Sequence, residues 1–178
     1  MQNVKDNSTN DRNSTKKLIF SKESGILPKI PKQERYNLIG QIATLMLASE
    51  VHKKYLIDDI GAMFLPAIHL NQFRIYRNKK GDPIGVATWA YLSKELEEKY
   101  QKGEKVFTKL EDWKSGDNGW IIDFIAPFGH AKQIIKDLRN NIFPGKQGKA
   151  LRITKDGKIK GIWKLHGKSV KKMIDNRF

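Results

Sequence analysis

The most telling segment of the chain is Trp120–Gly129, which reads Trp-Ile-Ile-Asp-Phe-Ile-Ala-Pro-Phe-Gly. Its apolar run is typical of a buried strand, which Pro127 and Gly129 bring to an end. One carboxylate, Asp123, stands inside that run. Because an ionised group in apolar surroundings is costly unless it is paired or hydrogen-bonded, Asp123 requires a partner.

His52 is the candidate partner among the four histidines of the chain. It follows an apolar helical pattern over Tyr36–Ser49, and Ser49 lies one helical turn before it. A buried aspartate that orients a histidine is a recurring way to make a general base. Each residue alone also has a structural interpretation, as a cap or as a backbone acceptor. His52, Asp123 and Ser49 are therefore candidate catalytic residues that only the fold can bring together.

Composition excludes several classes of protein. A length of 178 residues indicates one domain, or one domain with a tail. The absence of cysteine excludes a disulfide scaffold, a thiol nucleophile and thiolate zinc sites. No apolar run is long enough for a membrane span, and the first residues lack the apolar core of a secretory signal. The motifs of P-loops, dinucleotide-binding turns and nucleophile elbows are also missing. No histidine pairs at i, i+4 with a carboxylate or another histidine, so we expect no metal or cofactor site.

The net charge of +15 is concentrated near the end of the chain. Residues 146–178 carry eleven basic and two acidic side chains. Such a surface attracts a nucleic acid, an anionic membrane or an acidic protein, or it simply keeps the protein in solution. A basic nucleic-acid-binding module is therefore one alternative function. Against it, the segment holds mostly lysine and shows no recognisable reader motif.

The composition divides the chain into three parts. Residues 1–34 are rich in Asn, Ser, Lys and Asp, and we predict a disordered or loosely attached extension. Residues 35–170 form the predicted globular domain, and residues 171–178 form a basic tail.

The predicted order of elements is α-α-β-β-α-β-α-β-β. Apolar periodicity and turn signals place helices and strands in alternation along the domain. The helices are expected at Tyr36–Ser49, at Asp59–Ile68 with an interruption by Pro66, from the N-cap Ser93 to Gly103, and at His130–Ile142. The strands are expected at Gln72–Arg77, Ile84–Leu92, Trp120–Ala126, Leu151–Thr154 and Ile159–Leu165. This order implies an α/β fold, specifically an α+β sandwich with a mixed or mostly antiparallel sheet flanked by helices.

Four tryptophans lie in or beside the predicted strands, and core packing is their plain interpretation. The alternative is that some of them line a groove for an apolar acyl chain. The four are Trp89, Trp113, Trp120 and Trp163.

A series of short motifs runs in a fixed order from about Tyr36 to about Lys168. The motifs are Leu38-Ile39-Gly40, Ala48-Ser49-x-x-His52, Leu65-Pro66-Ala67-Ile68, Asn71-Gln72-Phe73, Ala87-x-Trp89-Ala90-x-Leu92-Ser93, Glu111-Asp112-Trp113-x-Ser115-Gly116-Asp117 and Trp120-x-Ile122-Asp123-x-Ile125-Ala126-Pro127-Phe128-Gly129. In order and spacing the chain resembles the RTX-toxin-activating (hemolysin-activating) lysine acyltransferases. These are bacterial cytosolic enzymes that fatty-acylate internal lysines of a pore-forming protoxin.

The resemblance implies a fold like that of the Gcn5-related acetyltransferases, adapted to a different donor. The acyl group would arrive as a thioester on acyl carrier protein, with no other cofactor, and the acidic carrier would suit the basic surface. A coenzyme-A-dependent N-acetyltransferase is the other alternative. The resemblance also implies that His52 and Asp123 are essential, that Ser49 assists, that the substrate is an RTX protoxin, and that the enzyme is cytoplasmic and a homodimer.

One departure from the family concerns the helix before His52. That helix is usually rich in tryptophan, whereas here it reads Leu45-Met46-Leu47. The preferred length of the acyl chain therefore does not follow from the resemblance.

Overall fold

The computed structural model describes residues 30–154 and 158–170. Within these ranges five strands form one sheet in the order β1-β2-β3-β4-β5. The β3–β4 pair is parallel and the other three pairs are antiparallel, which confirms the predicted mixed, mostly antiparallel sheet. The strands are β1 (Phe73–Arg77), β2 (Pro83–Leu92), β3 (Asn118–Ile125), β4 (Gln147–Ile153) and β5 (Ile159–His166). The predicted extension and tail fall largely on residues 1–29 and 171–178, which lie outside the described residues.

The helices flank both faces of this sheet, as an α+β sandwich requires. Short 3-10 turns at His52–Lys54 and Leu110–Trp113 connect other elements. The helices are α1 (Lys32–Leu47), α2 (Ile57–Asp59), α3 (Leu65–His69), α4 (Lys94–Gln101) and α5 (Ala131–Asp137). Helix α1 thus begins four residues before the predicted start and ends two residues before Ser49.

Pro66 shapes the second helical region, which the sequence placed at Asp59–Ile68. Between α2 and α3 the backbone forms a π-helical turn at Ile60–Phe64, in which the Leu65 N–H bonds the carbonyl of Ile60. A proline inside a regular helix would lack one N–H donor and clash with a carbonyl one turn earlier. The π turn lets α3 restart with Pro66 in its first turn, where a proline is tolerated.

Helix α4 begins as the sequence predicts. The hydroxyl of Ser93 accepts a hydrogen bond from the Leu96 N–H at 3.2 Å, which satisfies one free donor of the first turn. The next predicted helix, His130–Ile142, divides into α5 and a π-helical turn at Leu138–Ile142.

Strand β4 begins at Gln147, four residues before the predicted Leu151. The sequence pattern did not predict this start, because neither Gly148 nor Lys149 is a residue type that favours strands. Gly148 lies under the ring of Phe143, where an added Cβ would sit 3.0 Å from a ring carbon. Lys149 instead bonds Glu97 of α4 at 2.6 Å. Both positions thus depend on tertiary contacts that local pattern does not contain.

The two faces of the sheet carry different helices and different cores. The face that we call the α1 side packs against α1, α3 and α4, and its largest buried side chains include Ile42, Leu45, Phe64, Trp113 and Trp120. The face that we call the α5 side packs against α5, and its buried side chains are Ala87, Trp89, Ile121, Ile134, Leu138, Phe143 and Leu165.

A β-bulge interrupts the pairing of β2 with β3. The partners step from Thr88 with Asp123 to Trp89 with Ile121, so Ile122 is an extra residue in β3. Bulges of this kind redirect side chains and are common next to active sites.

Candidate active site

The bulge at Ile122 determines which face of the sheet receives Asp123. Ile121 packs on the α5 side, so regular alternation would place Asp123 on that side as well. With the extra residue, Asp123 lies opposite Thr88, and its N–H donates to the Thr88 hydroxyl at 3.1 Å. The carboxylate therefore lies on the α1 side, buried at 5% exposure.

His52 reaches the same place from the end of α1. After Leu47 the chain makes a tight turn, held by hydrogen bonds from the Ser49 N–H to Met46 and from the Lys53 N–H to Ser49. The His52 imidazole then lies with Nε2 2.9 Å from Oδ1 of Asp123. The two side chains are only 11% and 4% exposed, so water screens this contact weakly.

Ser49 completes a chain of three hydrogen-bonded groups. Its Oγ lies 2.7 Å from Nδ1 of His52. Because a carboxylate only accepts hydrogen bonds, Nε2 of His52 carries the hydrogen that Asp123 receives. In neutral His52 the lone pair is then on Nδ1, where it accepts the Ser49 O–H. All three candidate residues are thus brought together, in the order hydroxyl, imidazole, carboxylate.

The two oxygens of Asp123 differ in their contacts. Oδ1 accepts from His52 and also from the Phe124 N–H at 2.7 Å. Oδ2 is buried and has no hydrogen-bond partner among the described residues. A buried acceptor without a partner is unusual in a folded protein. It leaves one strong acceptor free in the site.

The charge of Asp123 affects the pKa values of two tyrosines, Tyr55 and Tyr100. Sequence reasoning did not single out either residue. Burial raises the pKa of Tyr55 to about 12, and the negative charge of Asp123 adds to the effect. Burial also raises the pKa of Tyr100, again with a contribution from Asp123. Both phenols therefore keep their O–H at neutral pH. The ring of Tyr55 lies 5.0 Å from that of His52, centroid to centroid. No spacing pattern marks Tyr55, because only the turn after α1 brings it beside His52, and Tyr100 packs edge-on against Trp120.

The remaining histidines lie elsewhere. His69 ends α3, His130 precedes α5, and His166 in β5 contacts Gln147 at 2.8 Å. In residues 30–154 and 158–170, no group of three or more acidic or histidine side chains is arranged to hold a metal ion. Over the same ranges, every helix is too short or too polar to traverse a bilayer.

Comparison with known proteins identifies the family. A family model described as the RTX toxin acyltransferase family matches residues 31–165. The chain belongs to this family. It is accordingly an acyltransferase, and the match spans the sheet as far as Leu165 and includes all three residues of the hydrogen-bonded chain.

Individual relatives agree with this assignment. An uncharacterized protein of Synechocystis is 47% identical over 68% of this chain and 82% of its own length. The RTX-I toxin-activating lysine-acyltransferase of Actinobacillus pleuropneumoniae is 33% identical over 80% of this chain and 81% of its own. The lysine-acyltransferase RtxC of Vibrio cholerae is 34% identical over 68% of this chain and 78% of its own.

Proposed function

We propose that the protein is a protein-lysine fatty acyltransferase that activates an RTX pore-forming protoxin. Its acyl donor is a thioester on acyl carrier protein, and the reaction takes place in the bacterial cytoplasm. The observation that carries the proposal is the hydrogen-bonded chain of Ser49, His52 and Asp123 in a member of this family. Relatives named as toxin-activating lysine-acyltransferases support the substrate class.

The reaction needs a base because the attacking group is an amine. A lysine ε-amine has a reference pKa of about 10.4 and is mostly protonated at neutral pH. It must lose a proton to attack and a second one as the tetrahedral intermediate collapses. Nδ1 of His52 is the nitrogen that carries the lone pair, where it accepts the Ser49 O–H, and Asp123 stabilises the imidazolium through Nε2. His52 is therefore the base, and Asp123 fixes its tautomer.

The bond changes balance without an added cofactor. The lysine nitrogen attacks the thioester carbonyl carbon, the new C–N bond forms, and the C–S bond breaks. The ammonium first releases one proton to solvent. The second proton passes from the attacking nitrogen to His52, and the departing thiolate takes that proton from the imidazolium. The oxygen of the tetrahedral intermediate needs a hydrogen-bond donor, and the protonated phenol of Tyr55, whose ring lies 5.0 Å from that of His52, is a donor of the required kind.

The Ser49 hydroxyl is hydrogen-bonded to Nδ1 of His52 at 2.7 Å, and Nδ1 is the nitrogen that must receive the proton. In the direct scheme its hydroxyl relays the proton from the amine to His52. In the competing scheme Ser49 or His52 attacks the thioester first and carries the acyl group until the lysine arrives. Trapping in a single turnover separates the two schemes, because only the second leaves an acyl mass on the enzyme.

The basic surface suits an acidic carrier. Arg152, Lys160 and Lys164 are exposed on β4 and β5, and no ion pair engages them within the described residues. Complementary charge accelerates encounter and fades with added salt. We therefore expect salt to raise the KM for the acyl-loaded carrier more than it lowers kcat. Homodimer formation stays a prediction.

The test is intact-mass spectrometry of a candidate RTX protoxin. The protoxin is incubated with this enzyme and with carrier protein loaded with laurate, myristate or palmitate. His52→Ala and Asp123→Ala variants run in parallel, and Arg74→Ala serves as a folded control, because Arg74 pairs with Asp137 on the opposite face of the sheet. We expect a fatty-acyl mass gain with the wild type and the control, and none with the two site variants.

Two further arms address the alternatives. The same acyl chains are supplied on coenzyme A, and acetyl-coenzyme A is supplied separately. Efficient transfer from coenzyme A but not from the carrier would contradict the proposed donor. No transfer to any protoxin from any donor would contradict the proposed reaction. Family membership already favours an acyltransferase over a nucleic-acid-binding module.

A further inference from the structure

The turn that carries His52 exposes large apolar side chains to solvent. Ile57, Leu47 and Leu56 are 88%, 75% and 72% exposed, and they are the three most exposed large hydrophobic side chains among the described residues. Val51 is also exposed. A single exposed apolar side chain is ordinary, whereas a concentration of them next to a site is typical of a surface that binds a partner. We call these four residues the apolar rim.

The apolar rim is built into the same turn as the base. Val51 directly precedes His52, and its carbonyl accepts from the Lys54 N–H at 3.3 Å. The Tyr55 N–H bonds the His52 carbonyl at 3.0 Å, and the two rings lie 5.0 Å apart, centroid to centroid. Leu56 follows Tyr55 directly. A polypeptide that brings a lysine to His52 therefore meets apolar side chains on both sides of it along the chain.

Two carboxylates without a cationic partner follow the apolar rim. No ion pair engages Asp58 or Asp59 within the described part of the chain, although the net charge of the protein is +15. The Leu56 N–H donates to the Asp59 carboxylate at 2.7 Å and fixes its position. Burial, then the charge of Asp123 and lastly that of Asp59 raise the pKa of Tyr55 to about 12, so Asp59 lies near this phenol.

The charge and the apolar area together indicate which substrate fits this surface. The acceptor in the proposed reaction is a lysine ammonium on a polypeptide, and carboxylates without a cationic partner attract such a group. An acidic carrier is repelled by Asp58 and Asp59 and is better matched by the exposed basic side chains of β4 and β5. Apolar side chains on either side of the lysine would gain by burial against the rim.

We propose that the apolar rim and Asp59 form the acceptor surface, which selects a protoxin lysine flanked by apolar side chains. The rim binds the flanking side chains, and Asp59 holds the ammonium before it loses its first proton. The inference rests on the proposed function, because it assumes that the acceptor is a lysine of a protein. Asp59 is then a specificity residue, and His52 is still the base.

Exposed positions allow the surface to be changed without disturbing the core. Ile57→Ser removes apolar area at a solvated position, where substitutions hardly affect stability. Ile153→Ser is its matched control, because Ile153 is an exposed isoleucine on β4 outside the rim. Asp59→Asn removes the charge and keeps an oxygen that can accept from the Leu56 N–H. Asp82→Asn is the corresponding control in the exposed turn between β1 and β2.

The first test measures binding without turnover. A candidate RTX protoxin is titrated into the wild type and the four variants by isothermal titration calorimetry, without donor, and thermal unfolding of each variant is recorded alongside. We expect the Kd to rise at least about tenfold in Ile57→Ser and about fivefold in Asp59→Asn, and to stay within about twofold in both controls. If the wild type does not bind the protoxin, or if Ile57→Ser binds it as tightly, the proposal is overturned.

The second test separates the two substrates in steady-state kinetics. Because the surface binds the acceptor in the ground state, Ile57→Ser and Asp59→Asn should raise the KM for the protoxin at least about fivefold. The kcat and the KM for the acyl-loaded carrier should stay within about twofold. Protoxin binding that depends on Ile57, without transfer from any donor, would overturn the proposed function and keep the acceptor surface. Transfer with an unchanged protoxin KM in both variants would do the reverse.

The other possible occupant of the apolar rim is a second copy of this chain. Sedimentation velocity on the wild type and on Ile57→Ser distinguishes it from the protoxin. We expect the same sedimentation coefficient for both proteins. A dimeric wild type that becomes monomeric in Ile57→Ser would contradict the proposal and assign the rim to a subunit interface.

Discussion

Two aspartates on opposite faces of the sheet are held in contrasting ways. Asp137 of α5 has both oxygens occupied: Oδ2 accepts from Arg74 and Tyr76 at 2.7 Å, and Oδ1 accepts from Asn141 at 2.6 Å. Asp123 is more deeply buried, yet Oδ1 takes both of its hydrogen bonds and Oδ2 has no partner among the described residues.

The difference distinguishes an aspartate that stabilises the fold, Asp137, from one that serves the reaction, Asp123. Burial opposes ionisation of Asp137, but the hydrogen bonds from Asn141, Tyr76 and Arg74 outweigh it and hold the pKa of that carboxyl below its usual value. Asp123 keeps a buried acceptor unsatisfied, which costs stability. The carboxylate of Asp123 lies against His52, whose imidazolium it can stabilise.

The largest expected effect comes from removing the partner of Asp123. His52→Ala removes the base and leaves the carboxylate with the Phe124 N–H alone. We expect acyl transfer to fall at least about a thousandfold in kcat/KM. Arg74→Ala, the corresponding change beside Asp137, should leave kcat/KM within about twofold. A similar loss in both variants would show that the two clusters do not differ in role.

The next effect concerns the hydroxyl at the other end of the chain. Ser49→Ala leaves His52 paired with Asp123 but takes away the group on Nδ1. If Ser49 relays or orients, kcat should fall by about a hundredfold with KM little changed. Single-turnover mass spectrometry on Ser49→Ala and the wild type measures this. The alternative outcome has two parts: Ser49→Ala loses as much activity as His52→Ala, and the wild type accumulates an acyl-enzyme. Together these results would show that Ser49 carries the acyl group.

The third effect is on the stability of the fold and comes from removing the charge of Asp137. Asp137→Asn is expected to lower the free energy of unfolding by about 1–2 kcal/mol at pH 7 and to leave acyl transfer intact. Because the pKa of Asp137 lies lower in the folded than in the unfolded chain, its contribution is complete above about pH 4 and disappears as the pH falls through the folded value. Denaturant unfolding at pH 7 and at pH 3 checks this. An equal difference at both pH values would count against the charge as the cause.

The smallest effect concerns the bulge that aims Asp123. Thr88→Val keeps the shape of the side chain but leaves the Asp123 N–H without its acceptor. We expect a loss of about 1 kcal/mol in unfolding free energy and a less than tenfold loss in kcat/KM. Thr88→Ser, which keeps the hydroxyl, should restore the activity though not all of the packing. If it does not, the hydroxyl is not what holds the bulge.

Sequence reasoning named the three candidate residues and proposed that His52 pairs with Asp123, but it could not show that they meet. An acid in an apolar run and a histidine after a helix are local signals, so His52 and Asp123 were predictable separately. Their contact spans 71 positions of sequence and depends on the extra residue at Ile122. Nothing in the pattern Trp-Ile-Ile-Asp marks a bulge, and an unbulged strand would have placed Asp123 on the other face.

The same limit applies to the fold. The elements with clear periodicity, such as α1, β2 and β3, were predicted to within a few residues. The start of β4 was not, because Gly148 and Lys149 are placed there by Phe143 and Glu97. The sequence also could not reveal that β3 and β4 pair over only three residues.

The most direct test of the account is Asp123→Asn, measured for acyl transfer and for unfolding on the same preparation. Asparagine keeps the shape of the side chain but cannot hold the imidazolium as a carboxylate does. We expect the single-turnover rate to fall by roughly 10³–10⁴ while the free energy of unfolding changes by less than about 1 kcal/mol. A rate within a few-fold of wild type, or a loss of activity that merely follows a loss of folded protein, would contradict the assignment of Asp123 and His52 as the reacting pair.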